Sequence, residues 1–217
     1  MFEQLLPKIH KEGYKFIAIS LIVSFLLILF SKTLGIIGIV ISIWIYYFFR
    51  DPERIIIDDS RYLVSPASGK ITKIVEVHGP KELGLQDKKY TRLSIFMNIF
   101  DCHINRSPIN GTIKEISYVP GKFLNASLDK SSEENERNYF DIQNEKNEKV
   151  LVVQIAGLIA RRIVCEVKKE QKLKQGERLG LIRFGSRVDM YFTNKKILVR
   201  ENQTSIAGET LIAVENG

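Results

Sequence analysis

At 217 residues the chain suits one sizeable domain with a small appendage and is short for two full domains. Its net charge of +7 suggests an anionic partner; no Lys/Arg block with interleaved aromatics marks a nucleic-acid surface, so acidic membrane lipid is expected and nucleic acid is not. The two cysteines, Cys102 and Cys165, form no CxxC pair, and three histidines are too few for a Cys/His zinc framework, so free thiols in a reducing compartment and no metal are expected.

The first predicted element is apolar. Phe16 to Phe30 and Leu34 to Phe49 carry no charge, and Ser31-Lys32-Thr33 lies between them. Each run is shorter than the roughly 20 residues of a single span, so the pattern predicts a membrane-anchoring helical hairpin within residues 1–50, spanning or re-entrant. Lys8, Lys11 and Lys15 precede it, and Arg50 and Arg54 follow. By the positive-inside rule both ends and the main domain face the cytoplasm, at the inner (cytoplasmic) membrane. Trp44, Tyr46 and Tyr47 read as interfacial aromatics. A signal peptide is disfavoured, because a second apolar run follows with no small-residue cleavage site between them. The core hairpin of a soluble protein is the other reading.

From residue 51 to 217 the pattern changes to short apolar runs between turn signals. Strands are predicted at Lys70–Val77, Leu93–Ile99, Gly111–Val119, Val150–Ile155, Ile163–Lys168, Leu179–Phe184, Val188–Phe192, Lys196–Val199 and Thr210–Val214. The expected class is mainly β (α+β), a sandwich or barrel-like assembly. Turns at Ser65–Ile71, Gln175–Gly180 and Ala207–Ile212 resemble the hairpins of lipoyl- and biotinyl-type barrel-sandwich domains. Leu124 to Lys149 reads as a polar excursion, helical at most near Ser131, which has capping-box spacing to Glu134.

Two segments carry candidate chemistry. In Arg183-Phe184-Gly185-Ser186-Arg187 the glycine permits unusual backbone angles, and its carbonyl is open to the hydroxyl of Ser186. The same Gly-Ser is also a common turn. A serine hydrolase would need G-x-S-x-G, and position 188 is Val. In Phe100-Asp101-Cys102-His103-Ile104-Asn105-Arg106 a strand runs into a turn dense in polar groups. His103 is the natural proton carrier there, or else a structural hydrogen-bonder. His10 precedes the apolar run and His78 sits in a turn. On a strand, adjacent Cys102 and His103 would point to opposite faces and form no dyad.

The segments MNIFDCHINRSPINGTI, PGKFLNASLDKSSEENER, VQIAGLIARRIVC and GERLGLIRFGSRVDMYF, in this order after FFRDPER, closely resemble the short bacterial phosphatidylserine decarboxylase proenzymes. The resemblance covers nearly the whole chain. It implies self-cleavage at Gly185–Ser186 into a β chain, 1–185, and an α chain, 186–217, which stay associated. It implies a covalent pyruvoyl cofactor made from Ser186 and no metal. The pyruvoyl carbonyl would form a Schiff base with phosphatidylserine and release phosphatidylethanolamine. His103 falls on the family histidine, as proton donor and as a candidate base for cleavage. Asn105 and Arg106 would shape the pocket, and Arg106, Arg161 or Arg162 would take the lipid phosphate. A second copy of the chain stays open as a partner.

One departure stands out. The family pattern S-P-A-D-G reads Ser65-Pro66-Ala67-Ser68-Gly69 here. The family aspartate is the acidic partner of self-cleavage, and serine carries no charge to steady an imidazolium. The role then falls to another carboxylate, among Asp58, Asp59, Asp101 and Asp189. The alternative is a processing-impaired, membrane-tethered β-domain with a binding role.

Overall fold

A computed structural model describes residues 7–57, 59–126, 131–158 and 162–216. The chain forms two compact units, Met1–Glu53 and Arg54–Gly217.

The first unit is a helix pair, α1 (Gly13–Phe30) and α2 (Lys32–Phe48). The expected three-residue tip shrinks to Ser31, whose extended backbone (φ −158°, ψ 126°) breaks the helix; Lys32 and Thr33 already belong to α2. The helices meet along small residues. A Cβ at Gly38 would lie 2.6 Å from Ser24 Oγ, and Ser24 and Ser42 hydroxyls approach to 3.3 Å. Such contacts let apolar helices pack closely without a hydrophobic driving force. The large side chains point outward: Phe25, Leu29, Ile36 and Ile43 are exposed. α1 is long and apolar enough to cross a membrane. At the open end His10 N–H donates to Phe49 O at 2.9 Å, and Phe16 stacks on Phe49.

The second unit is mainly β, as expected. Its strands are β1 (Tyr62–Val64), β2 (Gly69–His78), β3 (Lys89–Met97), β4 (Ile104–Arg106), β5 (Gly111–Val119), β6 (Arg137–Gln143), β7 (Lys149–Ala156), β8 (Ile163–Cys165), β9 (Lys172–Leu173), β10 (Arg178–Ile182), β11 (Ser186–Phe192), β12 (Lys195–Ile197), β13 (Thr204–Ser205) and β14 (Leu211–Glu215), with a short helix α3 (Ser131–Glu134). The large sheet has the order β13-β2-β3-β11-β7-β6-β5-β9. Two three-stranded sheets, β4-β10-β8 and β1-β14-β12, complete the domain. Strand alternation sorts β11 cleanly: Val188, Met190 and Phe192 join the main core with Ile95, Met97, Val152 and Phe140. Arg187, Asp189 and Tyr191 face the other side.

The polar excursion expected over Leu124–Lys149 is corrected. Its second half contains β6, an interior strand between β5 and β7. The strand is hidden in the sequence because its buried polar residues find distant partners. Arg137 pairs with Glu82 at 3.2 Å, Asp141 with Lys149 at 2.9 Å, and Asn138 with Gln154. Leu93–Ile99 also ends early, at Met97, where Asn98 and Asp101 close a turn.

Candidate active site

Ser186 opens β11 in the middle of the large sheet. It lies opposite Met97 of β3 and Ala156 of β7. The loops leaving β3 and β7 therefore meet the loop entering β11 at one end of the sheet. That convergence brings together 98–103, 157–158 and 183–185.

The entry to β11 is a double left-handed step. Phe184 has φ 58° and Gly185 has φ 62°. Glycine takes this conformation freely, whereas for Phe184 it costs about 1–2 kcal/mol. The step turns the Gly185 amide toward His103, and its N–H donates to His103 Nε2 at 3.3 Å. The other ring nitrogen, Nδ1, donates to the backbone carbonyl of Asp101 at 2.9 Å. A carbonyl only accepts, so Nδ1 carries the proton and Nε2 presents a lone pair. His103 is 1% exposed, so water does not compete for this arrangement.

Gly157 lies against the Gly185 carbonyl. A Cβ there would lie 2.2 Å from the Gly185 carbonyl oxygen. Position 157 thus admits the Gly185 carbonyl because it has no side chain. Asn135 fixes the neighbouring backbone: its Nδ2 donates to Ala156 O at 2.7 Å and to Leu124 O at 2.8 Å. The Ser186 hydroxyl is fully buried and has no hydrogen-bond partner among the described residues. Leaving a buried hydroxyl unpaired costs about 1–3 kcal/mol, and native structures rarely retain one without a role.

The remaining sequence candidates are distributed as follows. Asp101 reaches His103 through its backbone carbonyl, while its carboxylate accepts from Asn98 N–H at 2.8 Å. Asp189 is committed to a buried pair with Arg187 at 2.6 Å, on the face of β11 away from Ser186. Asp59 pairs with Arg61, whose hydrogen bonds pull its carboxyl down to about 2. Asp58 and Arg161 lie outside the described residues. Ser68 accepts from Ala207 N–H at 3.0 Å. Arg106 donates to Gly176 O at 2.9 Å and borders a crevice of about 620 Å³ with Ile56, Lys174 and Arg178. Arg162 is exposed, and its carbonyl accepts from Arg183 N–H at 3.1 Å. Asn105 is buried, with Oδ1 accepting from Gln154 at 2.8 Å. Cys102 is buried beside His103, and Cys165 bonds to Val167 O.

Gly157, Gln154 and Asn138 were not singled out by sequence. Gly157 lies within a motif, yet its close approach to Gly185 depends on a contact across 28 positions. Among the described residues no group of three or more His, Cys, Asp or Glu side chains is arranged to hold a metal ion.

Fold and site together define a mainly β protein with a buried serine and a neutral imidazole on the two sides of one glycine. The sequence of the phosphatidylserine decarboxylase family matches residues 41–213. A phosphatidylserine decarboxylase proenzyme of Pelagibacter ubique (strain HTCC1062) is 64% identical over 213 residues, covering 98% of this chain and 99% of the relative. Proenzymes of the same name from Rickettsia typhi (strain ATCC VR-144 / Wilmington) and Rickettsia felis (strain ATCC VR-1525 / URRWXCal2) are 51% and 50% identical, each covering 98% of this chain and 92% of the relative. The chain belongs to the phosphatidylserine decarboxylase family.

Proposed function

We propose that this chain cuts itself between Gly185 and Ser186 and then decarboxylates phosphatidylserine to phosphatidylethanolamine. One observation carries the reading. The unpartnered Ser186 hydroxyl follows a glycine whose amide is held on the lone pair of His103 Nε2.

The steps balance with residues of this chain. The Gly185 N–H lets go of His103 Nε2, which then takes the Oγ proton as Oγ adds to the Gly185 carbonyl carbon. The C–N bond breaks, the nitrogen takes a proton, and an ester joins Gly185 to Ser186. Loss of the Ser186 Cα proton expels the Gly185 carboxylate. The enamine left on residue 186 takes a proton at Cβ and becomes an imine, whose hydrolysis releases ammonia and leaves a ketone. The site fits such a group: position 186 is buried, central in the sheet and next to a glycine held by a proton carrier. When formed, the pyruvoyl group supplies an electron sink for the electrons that carbon dioxide leaves behind. His103 would then hold at Nε2 the proton that the substrate carbon takes up. Its Nδ1 bond to Asp101 O holds the ring against Gly185.

Association of the two chains after cleavage is supported by pairing. β11 runs against β3 over seven residues and against β7 over six. β14 pairs with β1, on the other side of the cut. The outward apolar side chains of α1 and α2 support a membrane anchor, and the flanking cations favour a cytoplasmic domain.

Ser68 favours a second reading, a disabled or non-catalytic relative. It brings no charge, and its hydroxyl is engaged by Ala207. Vesicles containing phosphatidylserine separate the two. The first reading expects phosphatidylethanolamine to form, and none with S186A. No product from the native chain overturns it.

A further inference from the structure

Three carboxamides cross the core beneath Ser186. Asn138 Nδ2 donates to Gln154 Oε1 at 3.4 Å, and Gln154 Nε2 donates to Asn105 Oδ1 at 2.8 Å. All three are buried, at 2%, 0% and 0% exposure, beside Val188, Val152 and Phe140. Carboxamides are costly in such surroundings unless their bonds are made, and these bonds fix a direction. Asn138 and Gln154 both donate in the direction of Asn105.

The last donor is poorly satisfied. Asn105 Nδ2 points at Met97 Sδ, 3.7 Å away, and a thioether is a weak acceptor. Met97 is the residue directly opposite Ser186. The unpartnered Ser186 hydroxyl and the under-used Asn105 amide therefore flank the same methionine.

We propose that Asn105 Nδ2 donates a hydrogen bond to Ser186 Oγ as that hydroxyl loses its proton, and that Gln154 and Asn138 are positioning residues holding Asn105 donor-side toward it. The proton goes to His103 Nε2; the charge left on Oγ is met by the Asn105 N–H, and no atom passes to Asn105. A donor aimed where charge develops stabilises that charge without reorganisation. This inference rests on the self-cleavage reading.

Position 154 tests it, because one substitution there reverses the amide on command. In Q154E the protonated carboxyl donates to Asn105 Oδ1 as glutamine does. The ionised carboxylate only accepts, so Asn105 turns over and offers Oδ1 to Ser186. Burial raises a carboxyl's pKa, which puts the change at neutral to alkaline pH. Full chains are made by cell-free synthesis with lipid, and cleavage is timed by intact mass, relative to the native chain at each pH. Q154L is expected to cut roughly tenfold or more slowly throughout. Q154E is expected near the native rate at low pH and as slow as Q154L at high pH. That low-pH recovery also shows that the variant folds. Native rates in both variants, or a pH-independent loss in Q154E, would overturn the proposal. A native chain that stays whole would overturn the self-cleavage reading instead. The inference is then decided on uncut Q154E from the Asn105 side-chain amide signals in 15N NMR. A shift across the titration supports the turned amide, and an unchanged signal overturns it.

Discussion

The amide of Gly185 and the imidazole of His103 are joined by a 3.3 Å hydrogen bond, with the glycine donating and Nε2 accepting. This bond sets a basic lone pair beside the one peptide link that leaves a left-handed glycine for a buried serine. His103→Ala removes the lone pair and should slow self-cleavage by roughly 100-fold or more, the usual worth of a general base. Intact mass against time after synthesis measures it. A variant that cuts at the native rate would remove His103 from the step.

Gly157→Ala is the sharpest steric test. Its methyl would fall 2.2 Å from the Gly185 oxygen, so the Gly185 carbonyl must move. Overpacking of this kind costs about 1–3 kcal/mol. The expected result is a folded chain, with native circular dichroism and a lowered melting temperature, that fails to cut. Normal cleavage would mean that the carbonyl's position at Gly157 is irrelevant.

Ser68→Asp restores the family carboxylate. Aspartate also accepts a hydrogen bond, so it can keep the Ala207 N–H that Ser68 holds. The variant should fold and cut at least as fast as the native chain. A slower S68D, seen by the same mass assay, would show that this backbone no longer accommodates the acid.

The two products should not part under native conditions. The smaller one supplies the central strand β11, so separating them means breaking ladders on both of its edges. Size exclusion in detergent should give one peak containing both chains, resolved only by denaturant. Separate native peaks would contradict the pairing.

Alkali should destabilise the β unit through the second buried cluster, which holds Tyr191 and Tyr139. Burial first, and the Asp189 charge second, push the Tyr191 phenol well above its usual range. Burial likewise raises Tyr139. A phenol whose folded pKa is raised lends stability that is intact below the unfolded value, near 10, and is lost as pH rises beyond it. Alkaline unfolding followed by fluorescence should therefore be less steep in Y191F than in the native chain. An identical profile would exclude Tyr191 as a source of the effect.

Much of this fold is legible in sequence, for a local reason. Gly111–Val119 is predicted and observed as β5 with the same limits, because its branched side chains and bounding turns need no distant information. β6 escapes the same reasoning. Arg137, Asn138 and Asp141 read as surface residues until Glu82, Gln154 and Lys149 are brought beside them. The site divides in the same way. His103 and Ser186 stand out by their neighbours in the chain. The link from His103 to the backbone carbonyl of Asp101 depends on the turn at 98–101 and is invisible in residue types. Gly157 acquires its meaning only from a carbonyl on another strand.

The most direct measurement is the intact mass of every product from the native chain expressed in a membrane-containing host. Self-cleavage predicts fragments 1–185 and 186–217, the smaller one lighter than a serine-started peptide by the change from amine and hydroxyl to ketone. A single uncut chain, with Ser186 still serine after prolonged incubation, would contradict it.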